Sequence, residues 1–249
     1  KFEIPLHFPD AVTEEAEQAT KLEISKEKRE DLRHLPIVAI DPADARDHDD
    51  AIWAEPDDSP DNKGGFKALI AIADVSYYVR SGSKLDREAY KRGNSVYFPD
   101  RVVPMLPEAL STDVCSLKQG VDRASLVCHV TISAKGQVTG SRFTRAIVKL
   151  AGNIAYEDAQ AAMDGKLDHP LKSSALEPHR VVEDYMIVAN VAAAKMLESK
   201  KSPVIYRVHE TPSREKLIAL KDYLKTFDMS FAMGQVIKPA VFNNLIEQV

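Results

Sequence analysis

The strongest hydrophobic pattern in the chain is a run of four apolar residues, Ile37 to Ile40, that ends at an aspartate. A short apolar run bounded by polar residues is typical of a buried β-strand. Pro42 lacks an N–H donor and argues against further sheet or helix. A second apolar run, Ala51 to Ala54, then predicts a returning strand. The pattern therefore predicts a strand at 37–41, an acidic loop, and a strand that turns back.

Four more segments have the patterns of β-strands. Phe66 to Val75 is almost continuously apolar, which predicts a central strand. Residues 125–133 alternate between apolar and polar, as half-buried strands do, and a turn at 134–137 leads into a strand at 138–148. Residues 204–208 are also predicted to be a strand. We expect loops at 56–65 and 95–107, where proline and other turn residues concentrate.

The clearest helix is predicted at 180–200, where apolar residues recur at helical spacing along one stripe. Shorter helices are predicted at 11–19 with Asp10 as N-cap, at 84–92, at 106–110, at 153–163, and from Pro212 with Thr211 as N-cap. These elements predict an α+β fold, a mostly antiparallel sheet flanked by helices. We expect the domain to span 37–249. Residues 1–36 would be an approach segment, in which the charge run Lys26–Arg33 is a solvated linker or helix end.

Composition agrees with a soluble globular protein of one large or two small domains, with 249 residues, 44% of them apolar and 29% charged. No apolar run approaches the length of a membrane span. Cys115 and Cys128 have no metal-like spacing and predict reduced core thiols in a cytoplasmic protein. The formal charge of −5 argues against a nucleic-acid partner, although the acidic loop itself accounts for −5.

The acidic loop is the strongest chemical signal in the sequence. Five aspartates lie between positions 41 and 50. Two carboxylates about 4 Å apart repel by roughly 4 kcal/mol at an effective dielectric constant of about 20, so their convergence calls for a cation. Oxygen ligands alone suit Mg²⁺ or Mn²⁺, and no register of a calcium-binding loop fits. An acidic surface loop with Asx turns is the alternative.

Several motifs together resemble the RNB family of exoribonucleases, which includes ribonucleases II and R, and the form is closer to ribonuclease R. The signature is Asp41-Pro42-x-Asp44-Ala45-x-Asp47-x-Asp49-Asp50-Ala51. The likeness continues, in the same order as in the family, in Ile72–Val79, Gly82–Asp86, Val103–Pro107 and Tyr206–Glu210. These motifs cover most of the chain and make the resemblance specific.

The resemblance implies a Mg²⁺-dependent hydrolase, with Mn²⁺ as a substitute, that removes 5′-nucleotides from the 3′ end of single-stranded RNA. Its metal ligands and catalytic residues would be Asp41, Asp47, Asp49 and Asp50. Asp50 would orient the attacking water, a second ion would stabilise the leaving oxygen, and Asp44 would be a turn residue. Tyr97 would stack on the 3′-terminal base, and Tyr156 and Glu183 would contact the ribose 2′-hydroxyl. We expect a monomer that binds no membrane.

From the residues alone, Tyr97, Glu183 and Asp74 have simpler interpretations. Tyr97 would pack on Pro99, Glu183 would be an ordinary solvated helix residue, and Asp74 would be structural because no second carboxylate lies nearby in sequence. His129 falls on the polar face of its predicted strand, which favours a surface histidine over a metal ligand.

The chain also departs from the family pattern. We expect a gap near residues 178–179, where RNB proteins carry several dozen more residues, and a missing C-terminal part, so that the catalytic domain is incomplete. The alternative function is therefore a non-catalytic RNA- or protein-binding fragment whose acidic loop holds a structural cation. A third hypothesis is a metal-dependent phosphatase or endonuclease on an unrelated fold.

Overall fold

The computed structural model describes residues 4–24, 28–165, 178–208, 210–233 and 239–246. The chain divides into two compact units, Lys1–Pro203 and Val204–Val249. Each unit is described by itself below. The predicted site residues all belong to the first unit.

A seven-stranded sheet organises the first unit. In chain order the strands of this unit are β1 (Glu30–Asp31), β2 (Val38–Asp41), β3 (Asp50–Pro56), β4 (Phe66–Ala73), β5 (Val96–Tyr97), β6 (Val102–Val103), β7 (Asp122–Ile132), β8 (Val138–Lys149) and β9 (Gly152–Ala155). The order across the sheet is β1-β8-β7-β4-β3-β2-β9, and β5 and β6 form a separate hairpin. The pairs β1–β8 and β2–β9 are parallel, and the other described pairs are antiparallel. The predicted α+β class is confirmed.

The helices of this unit flank the sheet and follow local sequence signals. They are α1 (Asp10–Ala19), α2 (Val75–Tyr78), α3 (Lys84–Arg92), α4 (Tyr156–Met163) and α5 (Pro178–Ser199), with a π-helical turn at Ala109–Val114. Helix α3 lies where it was predicted. The Ser83 hydroxyl accepts from the Asp86 N–H at its start, and Gly93 ends it with a φ of 81°, which glycine adopts without strain.

Strand β4 is apolar except at Lys67, because both faces of the sheet are covered at its centre. On one face Leu69 and Ala71 join a cluster with residues of β2, β7 and β8. On the other face Ile70 packs with Ala189 and Ala192 of α5. This packing fixes α5 across the sheet and sets the position of its first turn relative to the strand ends.

In the described part of the charge run, residues 28–33, Glu30 and Asp31 belong to the sheet, so the prediction of a solvated linker or helix end is wrong there. The Arg29 side chain has no exposed surface and donates to the buried Asp74 carboxylate at 2.9 Å. Glu30 and Asp31 form β1 and pair in parallel with Ala146 and Ile147. Burial of Arg29 is tolerated because an opposite charge compensates its lost hydration. The partnership also agrees with the structural role predicted for Asp74.

Two further segments differ from prediction because a neighbouring strand was not visible in the local pattern. Residues 152–155 form β9, which pairs in parallel with β2, so helix α4 begins at Tyr156 and not at Asn153. The predicted loop at 95–107 contains the β5–β6 hairpin, in which Tyr97 lies opposite Val102. The predicted helix at 106–110 is the π-helical turn at Ala109–Val114.

Part of the expected approach segment packs into the core of the first unit, to which it belongs. Val12 and Ala16 of α1 are buried in a cluster with Tyr77, Tyr78 and Leu85. The domain boundary expected at residue 36 stays a prediction, as does the gap expected near residues 178–179. In the structure Pro178 begins α5 and His179 follows it in the same helix. Proline suits a first helical position because that position needs no N–H donor.

The second unit contains α6 (Arg214–Lys225) and α7 (Pro239–Ile246). Residues 204–208 are not a strand, contrary to prediction: no described strand pairs with them, and Ile205 is fully exposed. The N-cap of α6 is Ser213, whose hydroxyl accepts from the Lys216 N–H, and not Thr211. Phe231 packs against Phe242 with ring centroids 6.1 Å apart.

Candidate active site

The acidic loop connects β2 to β3 at one end of the sheet. Because Val38 lies opposite Ile52 in the antiparallel pair, the strand ends that carry Asp41 and Asp50 meet. The loop leaves β2 through a turn closed by the Ala45 N–H, which donates to the Pro42 carbonyl at 2.9 Å. Asp44 is exposed in this turn, as expected for a turn residue.

Residues far away in sequence hold the loop in its bent path. The Ser116 side chain is fully buried and makes two hydrogen bonds to the loop. Its hydroxyl accepts from the His48 N–H and donates to the Arg46 carbonyl, each at 3.0 Å. The Leu117 N–H donates to the His48 carbonyl at 2.8 Å. These bonds bring the second half of the loop back towards β2.

His48 pairs directly with an aspartate of the loop. Its Nδ1 lies 2.6 Å from an Asp41 carboxylate oxygen, and both side chains are largely shielded from solvent. The imidazole therefore fixes the orientation of the Asp41 carboxylate at the strand end. The sequence analysis did not single out His48 as a site residue, although its place among the aspartates is a usable signal.

The pKa values of Asp49 and Asp50 are raised, in part by the charges of neighbouring aspartates. Burial is the main cause of the raised pKa of Asp50, about 6, and the charges of Asp41 and Asp49 add to it. The pKa of Asp49 is raised too, first by burial and then by the charges of Asp47 and Asp41. The loop therefore concentrates unfavourable negative charge, which a cation would relieve.

The donor set fits a hard divalent cation, because it consists of carboxylate oxygens. In the described residues, no three His, Cys, Asp or Glu side chains stand close enough together to hold one ion as they are. The assignment of Asp41, Asp47, Asp49 and Asp50 as metal ligands therefore remains a proposal.

Tyr97 lies beside the acidic loop, next to the turn of the β5–β6 hairpin. Its hydroxyl donates to an Asp47 carboxylate oxygen at 3.4 Å, and 68% of the residue's surface is exposed. Burial of the phenol, with the charges of Asp47 and Asp49, raises the pKa of Tyr97. An exposed ring next to the aspartates is available for stacking on a base.

Tyr156 lies at the same end of the sheet. Asp41 is opposite Ala155 in the parallel pair of β2 and β9, so Tyr156 follows directly beside Asp41. Its pKa is raised by burial and by the charges of Asp41 and Asp50. The ring of His179 stacks on it with centroids 3.8 Å apart and planes 16° apart.

Glu183 is exposed on α5, one helical turn after His179. Residues four apart on a helix are surface neighbours. His179 therefore stacks on one of the two residues expected at the ribose and is a helical neighbour of the other, and no feature of the sequence pointed to it.

Comparison with known proteins places this arrangement in a family. The RNB domain matches residues 29–177 and 168–249. This chain belongs to the RNB family. It is 34% identical over 299 residues to ribonuclease R of Vibrio cholerae and 34% identical over 300 residues to ribonuclease R of Escherichia coli. Each alignment covers 99% of this chain and 36% of the relative.

The fold comparison agrees. Mycoplasma genitalium RNase R, solved in complex with ribose methylated single-stranded RNA, matches with a TM-score of 0.84 at 23% identity. That match covers 98% of this chain and 46% of the solved chain. At this identity the likeness shows the fold alone. The chain thus spans about a third of the length of the curated relatives it matches.

The alignments bear on the gap expected near residues 178–179. An alignment of 299 residues is longer than this RNB chain of 249, so the relative has segments with no counterpart here. The family match also divides between residues 168 and 177. Residues 166–177 lie outside the described part of the chain, so the exact place of the gap stays a prediction.

Two observations concern the expected cellular setting. Cys115 and Cys128 are free, buried thiols, and burial raises the pKa of Cys128 to about 11 and of Cys115 to about 12. They are therefore core residues. In the described residues, no helix has the length and apolar character needed to cross a membrane.

Proposed function

We propose that this RNB chain carries the hydrolytic centre of a divalent-cation-dependent 3′-to-5′ exoribonuclease that acts on single-stranded RNA. The observation that carries the proposal is the convergence of Asp41, Asp49 and Asp50 at one sheet end, where each of the latter two has a raised pKa. Such a concentration of carboxylates beside a core destabilises a protein unless a cation binds there.

The proposed ligands are Asp41, Asp47, Asp49 and Asp50. A bound Mg²⁺ or Mn²⁺ supplies Lewis acidity at the phosphate and lowers the pKa of a coordinated water. Asp50 would orient that water, because its partly buried carboxyl group begins β3 beside the charges of Asp41 and Asp49. His48 holds the Asp41 carboxylate, and Ser116 holds the loop, so both are positioning residues.

RNA would be held by groups around the acidic loop. Tyr97 would stack on the 3′-terminal base, an interaction worth about 1–3 kcal/mol and indifferent to base identity. Tyr156 and Glu183 would bond the ribose 2′-hydroxyl, which both donates and accepts and which DNA lacks. Product 5′-nucleotides follow if the scissile phosphate lies at the aspartates, one nucleotide from the stacked base.

The test is a time course with 5′-labelled single-stranded RNA and Mg²⁺, run with this chain and with its Asp50→Asn variant. An exonuclease converts the label into a short limit product by single-nucleotide steps, and the variant leaves the RNA intact. Scattered internal cuts would instead indicate an endonuclease.

A non-catalytic fragment is the second candidate, because the described aspartates do not close around one ion as they stand. In that case the RNA stays full length, while Mg²⁺ still raises the melting temperature of the protein. The same two measurements on one preparation separate the two functions.

A further inference from the structure

The stack between Tyr156 and His179 is unusually close for a pair at the protein surface. Aromatic pairs commonly have centroids about 4.5–7 Å apart, and these rings are 3.8 Å apart and nearly parallel. His179 is exposed, so this contact is not a consequence of burial in a core. His179 therefore covers one face of the Tyr156 ring, and Tyr156 also packs against the buried cluster that includes Ile40 and Ile154.

Both residues are attached to rigid elements. Tyr156 follows β9, which is held by four register pairs to β2. His179 lies in the first turn of α5. Val181, Val182 and Tyr185 of that helix pack against a buried cluster that includes Ile40 and Ile154. The strand end that carries Asp41 thus also anchors the helix that carries His179.

Through His179, the stack links two predicted site residues from separate parts of the chain, Tyr156 and Glu183. Tyr156 lies beside Asp41 through the β2–β9 register, and Glu183 lies four residues after His179 on α5. Residues at this spacing have Cβ atoms about 5–6 Å apart. His179 therefore stacks on the phenol and is a helical neighbour of the carboxylate, the two groups that we place at the ribose.

We propose that His179 is a positioning residue that sets ribose specificity, because its ring holds Tyr156 in the orientation needed to contact the 2′-hydroxyl of bound RNA. This deepens the proposed function and rests on it. Without the stack the Tyr156 ring would lose its support on that face and would spend less time in the productive orientation. Loss of the stack would then weaken binding of ribose ends more than binding of deoxyribose ends.

The experiment measures discrimination between two 5′-fluorescent single strands of one sequence. One is all RNA, and the other carries 2′-deoxyribose at its 3′-terminal nucleotides. Equilibrium binding is followed by anisotropy with Ca²⁺ in place of Mg²⁺ to slow hydrolysis. The proteins are this chain and its variants His179→Ala, His179→Phe and Tyr156→Phe. His34→Ala is the matched control, because His34 is also exposed and has no stacked ring among the described residues.

We expect His179→Ala to reduce the ribose preference by about 2- to 10-fold, the factor that corresponds to one aromatic pair. His179→Phe keeps a stacking ring and restores the preference. In the Tyr156→Phe background, which lacks the hydroxyl, His179→Ala has no further effect on the preference, as a double-mutant cycle requires of coupled residues. His34→Ala leaves the preference unchanged, and melting temperatures confirm that all variants are folded.

Two results would overturn the inference and leave the proposed function intact. They are an undiminished ribose preference in His179→Ala, and an equal loss in His179→Ala and His179→Phe. RNA binding without any ribose preference in the unmodified chain would also overturn it. Absence of RNA binding by the unmodified chain would overturn both proposals, so their failures are distinguishable.

Discussion

Replacement of Ser116 by alanine tests how the acidic loop is held. The substitution removes one hydroxyl that is fully buried and makes two hydrogen bonds of 3.0 Å, from the His48 N–H and to the Arg46 carbonyl. Each such bond contributes about 0.5–1.5 kcal/mol, so the expected loss in the free energy of unfolding is about 1–3 kcal/mol. The two orphaned backbone groups lie in the loop, so the damage is expected there first.

Urea unfolding at pH 7 measures this loss, and titration with Mn²⁺ measures the effect on the loop. Ser125→Ala is the matched control. Ser125 is also fully buried, and its hydroxyl donates to the Ile72 carbonyl at 2.8 Å. We expect both variants to be less stable and only Ser116→Ala to bind Mn²⁺ more weakly. If Ser116→Ala matched the unmodified chain in Mn²⁺ affinity, Ser116 would not position the acidic loop.

Three further predictions concern the same residues and one ion pair on the sheet. Asp50→Asn is expected to abolish RNA hydrolysis while RNA affinity stays near that of the unmodified chain, and an equal loss of binding would contradict this role for Asp50. The melting temperature is expected to be higher in excess Mg²⁺ than in EDTA, because a cation that binds the native aspartates stabilises the fold; equal values would argue against the metal site. Hydrogen bonding from Arg142 lowers the pKa of Glu30 to about 2 from its ordinary 4.5, so its stabilising effect should be complete above pH 4.5 and be lost as the pH falls towards 2. The difference in stability between the unmodified chain and Glu30→Gln should shrink over that range, and a constant difference would refute the assignment.

The predictable parts of the fold are those whose pattern is complete within a few residues. The apolar run before Asp41, the continuous apolar strand β4 and the capped helix α3 each contain their own signal. Strands β1 and β9 were missed because they are two and four residues long and depend on distant partners in β8 and β2. Short strands are specified by pairing, which a single stretch of sequence does not reveal.

The candidate site divides in the same way. A run of aspartates after a buried strand is visible in the sequence, and it led directly to a metal-site hypothesis. What bends the loop is a serine about 70 residues later, and what stacks on Tyr156 is a histidine at the start of α5. Neither residue has a distinctive local pattern. The position of His179 follows from how β2, β9 and α5 meet, and that of Ser116 from how the segment between the π-helical turn and β7 bonds to the loop, and both are properties of the tertiary structure.

The location of charge resolves the apparent conflict between a net charge of −5 and an RNA partner. The aspartates between positions 41 and 50 contribute −5, which equals the entire formal excess. A divalent cation would compensate part of that charge. Apart from these five aspartates, 33 acidic and 33 basic residues balance, so net charge does not decide between RNA and other partners. The salt dependence of binding distinguishes RNA from other partners, because each phosphate neutralised on a single strand adds about 0.7 to the magnitude of the slope of log affinity against log salt concentration.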